Sequence, residues 1–89
     1  MKPAVVTEFS TQSKYYPLHT YLAAAQGTVV QLSFQEIEAI LGFGLPVGAR
    51  SHSAWWGNSK SGHSQSRAWM LAGWRVQVDV SRETATFTR

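Results

Sequence analysis

An 89-residue chain without a single cysteine has to hold itself together by packing alone, because neither a disulfide nor a Cys-based zinc site is open to it. A core of this size serves one domain, since a second would bury too little apolar surface to offset its own conformational entropy. The apolar supply is adequate. The hydrophobic fraction is 44%, and four Trp, three Tyr and four Phe exceed what a disordered chain carries. The expectation is a single small α+β domain over residues 15–89, preceded by a loose arm over residues 1–14 in which Ala4, Val5, Val6 and Phe9 could add a short strand. That opening stretch lacks an apolar run of signal-peptide length, and no segment nears the ~20 apolar residues that cross a bilayer. A cytoplasmic location away from membranes is expected.

Glycine and proline punctuate the remainder. Pro17 suits a first helical turn, Leu18, Tyr21, Leu22 and Ala25 recur at helical spacing, and Gly27 is placed as a stop, which predicts a helix over residues 17–26. Residues 28–32 are β-branched and short, so they read as a strand. Ser33 and Glu36 then have the spacing of a capping box, with Leu32 and Ile37 at hydrophobic-staple positions. The helix so started presents Phe34, Ile37, Ile40 and Leu41 on one face and ends at Gly42. Pro46 opens a short third helix through Val47, Ala49 and Arg50, and the Gly/Ser/Lys-rich stretch 57–63 reads as an exposed loop. A further helix from about Ser64 would bury Ala68, Leu71 and Trp69 and stop at Gly73. Trp74, Val76, Val78 and Val80 alternate with polar residues, and Ala85 and Phe87 do the same after a turn at 81–83, which is a C-terminal β-hairpin. Three to four helices, one short strand and a terminal hairpin, in this order, resemble a winged-helix domain, although the long stretch 46–63 is unlike the simplest of these.

Charge is distributed unevenly. The net charge is only +3, yet residues 39–78 contain no Asp or Glu while holding Arg50, His52, Lys60, His63, Arg67 and Arg75. Trp55, Trp56 and Asn58 sit among them. Each type serves nucleic-acid recognition: Arg on guanine or phosphate, Asn on adenine, His and Lys on phosphate, an indole on a base. Arg50, His52, Trp55, Trp56, Asn58, Lys60, His63, Arg67 and Arg75 are therefore the candidate nucleic-acid-binding residues, with Arg82 a further backbone contact on the hairpin. Each also has a structural reading. One of two adjacent tryptophans fills the core, Trp69 and Trp74 fit apolar faces, Arg50 pairs with a carboxylate or caps helix carbonyls, Asn58 is turn chemistry, and the histidines brace the backbone.

The residues Tyr16, Pro17, Leu18, Tyr21 and Leu22, then Phe34, Ile37, Glu38, Ile40, Leu41 and Gly42, then Leu45, Pro46, Ala49 and Arg50 form part of a longer pattern. It reads YxPLxxYL, FxxIExILGxxLPxxAR, WWxN and HxxxxAWxxAGWxV. The pattern covers most of the chain from Tyr16 onward and resembles a family of small uncharacterised bacterial domains. Its members occur alone or joined to proteins that look like nucleases, so the resemblance implies no transferable activity but favours work on DNA.

An enzyme is not expected. Five acidic residues are scattered, with Glu36 assigned to its cap and Glu38 to the outer face of the same helix. No nucleophile elbow or phosphate loop occurs. His19, His52 and His63 could together hold zinc, but no dense ligand motif supports it. No metal and no cofactor is expected. The favoured function is DNA binding, regulatory or tied to DNA processing or defence, with a homodimer as a natural form of such a reader. The rival is a protein-interaction module, an adaptor or inhibitor subunit using the same Trp and Arg surface.

Overall fold

The computed structural model describes residues 13–58 and 64–89, and within them the chain forms four α-helices and a three-stranded antiparallel sheet. Helix α1 (Tyr16–Ala24) starts with Pro17 in its first turn and ends two residues before its predicted end at Gln26. The reason lies at the far end of the chain. Trp74 Nε1 donates to the Leu22 carbonyl (3.0 Å), while Arg89 donates to the carbonyls of Ala25 (3.0 Å) and Gly27 (2.8 Å). The carbonyls of Leu22 in the last turn and of Ala25 at the C-cap are thus paired by side chains from outside the helix, and Gly27 reverses the chain at φ +84°.

Strand β1 (Val29–Ser33) runs straight into α2 (Phe34–Leu41) through the capping box. Glu36 N donates to Ser33 Oγ (3.0 Å), and Ser33 N donates to Glu36 Oε1 (2.8 Å), so two backbone donors at the start of α2 are paired locally. Phe34, Ile37 and Leu41 are buried, Ile40 is half-buried, and left-handed Gly42 ends the helix. Helix α3 (Val47–Ser51) follows Pro46 as expected. An element absent from the sequence reading comes next, a 3-10 turn over Ser53–Trp56. Helix α4 (Ser64–Met70) is shorter than predicted, and Leu71, expected in the core, is half-buried because the chain already turns toward Gly73.

Strands β2 (Arg75–Asp79) and β3 (Thr84–Thr88) form the hairpin, and β3 inserts between β1 and β2. Register aligns Val30, Phe87 and Val76 in one cross-strand row and Leu32, Ala85 and Val78 in another. The alternate positions place Gln31, Thr86 and Gln77 in a row on the opposite face. The helices cover the apolar rows, where ring stacking runs unbroken from α2 to β3. Phe34 stacks on Trp56 (5.3 Å), Trp56 on Trp69 (5.8 Å), and Trp69 meets Phe87 edge-on (5.9 Å). Full burial of each large ring contributes roughly 2–3 kcal/mol, and this line of rings supplies what no disulfide does.

Most of the arm expected over residues 1–14 lies outside the described residues. Ser13 and Lys14 belong to the fold: Ser13 O accepts from Tyr16 N (3.0 Å), and the Lys14 ammonium lies over the rings of Tyr15 and Phe43. Among the described residues no helix is long and apolar enough to cross a membrane.

Because one hydroxyl and one carboxylate start α2, Ser33→Ala should cost about 1 kcal/mol. Urea denaturation should show a lower midpoint with an unchanged slope, and an unchanged midpoint would mean the cap contributes nothing.

Candidate nucleic-acid interface

The residues singled out between 50 and 75 part company in three dimensions. Arg50, near the end of α3, turns back to α2. Its Nη2 lies 2.6 Å from Glu38 Oε2, its Nη1 lies 3.3 Å from Glu83 Oε2 on the hairpin turn, and its guanidinium sits over the Phe34 ring at 5.8 Å. Glu38 Oε2 also accepts from Leu45 N (2.7 Å). That backbone hydrogen bond, followed by the hydrogen bond from Arg50, holds the Glu38 carboxyl below the usual carboxylate range, and Glu38 in turn raises the Arg50 pKa. Of the two structural readings of Arg50, pairing with a carboxylate is the one realised. Two corrections accompany it: Glu38 is not on an outward face, and two of the acidic residues read as scattered meet on one guanidinium.

Asn58 departs furthest from its sequence reading. Instead of facing solvent in a turn, its amide lies against the outer edge of β2. Nδ2 donates to the Val76 carbonyl (3.0 Å), while Oδ1 accepts from Val76 N (2.8 Å) and from Trp69 Nε1 (3.1 Å). This bidentate contact has the form of a peptide group in a neighbouring strand. It closes part of a sheet edge that would otherwise be bare and ties that edge to α4. Trp56 is buried, with Nε1 donating to the Ala49 carbonyl (2.9 Å), and Trp69 and Trp74 are buried as the core reading requires. Arg50, Trp56 and Asn58 are thus held by contacts of the fold itself.

The other candidates lie elsewhere. Arg67 is half-buried on α4, Arg75 is exposed at the start of β2, and Arg82 on the hairpin turn is within 3.8 Å of Asp79. Lys60 and His63 lie outside the described residues. His19, considered with His52 and His63 for zinc, donates from Nδ1 to the Ala68 carbonyl (3.0 Å). Among the described residues no three His, Asp or Glu side chains are grouped as metal ligands would be.

Two of the candidates do come together. Exposed His52 and half-buried Trp55 line an open groove of about 570 Å³ with Gly48, Ala54 and Gln65. The Trp55 ring is set edge-to-face against Tyr15 (6.0 Å, 67°) and Trp56 (4.8 Å, 70°). Gln65, only 7% exposed, donates from Nε2 to the Trp55 carbonyl (3.3 Å) and joins α4 to the 3-10 turn. The sequence reading missed Gln65, because a polar residue in the first turn of a helix carries no mark of burial. It missed Gly48 as well, which lies beside the indole: a Cβ there would be 3.6 Å from Trp55 Cδ1. Among the described residues no carboxylate lines the groove.

A second concavity of about 640 Å³ lies over the outer face of the sheet. Gln31, Gln77, Thr84 and Thr86 supply neutral amides and hydroxyls there, and Gln31 Nε2 donates to Thr86 Oγ1 (3.2 Å). Among the described residues it offers neither an aromatic ring nor an excess of positive charge.

A family model described as a domain of unknown function, DUF7662, matches residues 15–89. Neither the curated proteins nor the solved structures contain a match to the chain.

Asn58→Ala leaves the Val76 and Trp69 N–H donors without their acceptor, and should cost ~2–4 kcal/mol in chemical denaturation. Faster amide exchange at Val76 should accompany it, and a loss below ~1 kcal/mol would contradict the role assigned to the clamp. Glu38 gives a pH test. A carboxyl whose folded pKa is depressed adds stability above its unfolded pKa and loses it as pH falls through the folded value. The stability gap between wild type and Glu38→Gln should therefore narrow from pH 6 toward pH 3, and a gap independent of pH would refute the assignment.

Proposed function

We propose that this chain, which belongs to the DUF7662 family, is a DNA-binding domain that engages its ligand at the His52–Trp55 groove. A regulatory role, or one in DNA processing or defence, is part of the same reading. The observation that carries it is the position of Trp55. Trp56, Trp69 and Trp74 are buried, whereas Trp55 is half-buried and lines an open groove. It does so inside the stretch 39–78, which has no acidic residue. An indole and an imidazole in a groove whose described lining has no carboxylate favour a polyanion with aromatic faces. Further support comes from the element order, which resembles that of a winged helix apart from the stretch 46–63, with exposed Arg75 on the hairpin available to a phosphate. A pair of copies reading two sites fits the same proposal.

The rival, a protein-interaction module, draws on one observation. Val47, 79% exposed, precedes Gly48 of the groove, so an apolar contact stands beside the indole. Aromatic residues of this kind anchor protein interfaces.

Fluorescence anisotropy of labelled DNA at two salt concentrations separates these readings. DNA binding predicts affinity that falls with salt, weakened in His52→Ala and Arg75→Ala, with a salt slope lower by about one for each phosphate contact removed. Absence of binding at low salt, or binding indifferent to salt, would sink the DNA reading and leave the protein module.

A further inference from the structure

We infer that the groove receives an unstacked base, so that the ligand is single-stranded rather than duplex DNA; this rests on the DNA reading above and narrows it. Duplex recognition in the winged-helix manner needs a helix that presents a row of side chains to base edges in the major groove. By element order that helix is α4, which has seven residues. Gln65, Ser66, Ala68 and Trp69 are buried, leaving Ser64, Arg67 and Met70 as the α4 residues with surface to offer. Two of the candidates suited to bidentate base contacts are engaged within the fold: Arg50 holds Glu38 and Glu83, and Asn58 holds Val76 and Trp69.

What the segment does offer is a ring. Stacking on an indole requires a base with a free face, which duplex DNA withholds and a single strand provides. The Trp55 ring is positioned by edge-to-face contacts with Tyr15 and Trp56, and its backbone carbonyl is held by Gln65. A ring fixed in this way loses little side-chain entropy when a base settles on it. The groove is within the size range of ligand clefts, its lining among the described residues carries no carboxylate, and exposed His52 lies on its wall within reach of a backbone phosphate. The same geometry predicts weak dependence on base identity, because every base has a π-face.

The test uses the full chain with a fluorescein-labelled 15-mer of thymidine, the same length of mixed sequence, its duplex, and a 15-mer of uridine. Trp55→Leu, Trp55→Phe and His52→Ala are measured beside the wild type, with urea denaturation to confirm that each variant folds. Single strands should bind about tenfold or more tighter than the duplex. Trp55→Leu should weaken single-strand binding roughly tenfold, as expected for loss of one stacked base, and Trp55→Phe should retain most of it. Binding of single strands should also quench tryptophan emission in the wild type more than in Trp55→Phe, a readout that does not depend on the Leu variant folding. Duplex binding equal to or tighter than single-strand binding, unaffected at Trp55, overturns this inference and leaves the DNA reading intact. Tighter binding of the uridine strand overturns DNA as the ligand. No binding of any strand at low salt removes both readings together.

Discussion

One side-chain amide joins the sheet to the helices. Asn58 spans Val76 on the open edge of β2 and the indole of Trp69 on α4, so three polar groups that would be costly to leave unpaired satisfy one another. The stack Phe34, Trp56, Trp69, Phe87 runs through the same region. Once Trp69 is oriented by that hydrogen bond, its ring stacks on Trp56 and meets Phe87 in an edge contact. The short α4 needs this support, because seven residues make too few helical hydrogen bonds to be stable in isolation.

A second polar centre does comparable work on the opposite flank. Arg50 takes Glu38 from α2 and Glu83 from the hairpin turn, and Glu38 also accepts the Leu45 amide that begins the approach to α3. The groups are partly exposed, so their net contribution as ion pairs is modest. Their directional effect is larger, since one guanidinium fixes three segments relative to one another. It follows that the positive character of residues 39–78 is weaker at the surface than in the sequence. Part of it is neutralised by carboxylates that lie outside that window.

Element order, the capping box, the Gly42 and Gly73 turns and the existence of the C-terminal hairpin were legible in the sequence because each rests on local rules: periodicity, φ > 0 at glycine, and side-chain caps within three residues. The early end of α1 was not, because it depends on Trp74 and Arg89, some fifty or more residues away. The 3-10 turn carries no signature of its own between Pro46 and Gly57. For the site the division is similar. Trp69 and Trp74 could be assigned to the core from their apolar faces. Asn58 could not be assigned to Val76, since turn chemistry and a strand-edge clamp call for the same residue type. Nor could Arg50 be assigned to Glu38 and Glu83 together, because that triangle closes only when the hairpin returns to α2.

The hairpin turn holds Glu83 at φ +54°, a left-handed conformation unusual for a residue with a side chain. Its carbonyl accepts from Phe34 N (2.8 Å), and its own N–H donates to the Val80 carbonyl (3.2 Å). The tip of the hairpin is therefore latched to the first residue of α2 rather than hanging as a free flap. A push on the tip is transmitted into the helix that carries Phe34, at the head of the aromatic stack. The shape of the hairpin tip and the placement of the aromatic stack are therefore set by one backbone hydrogen bond between them.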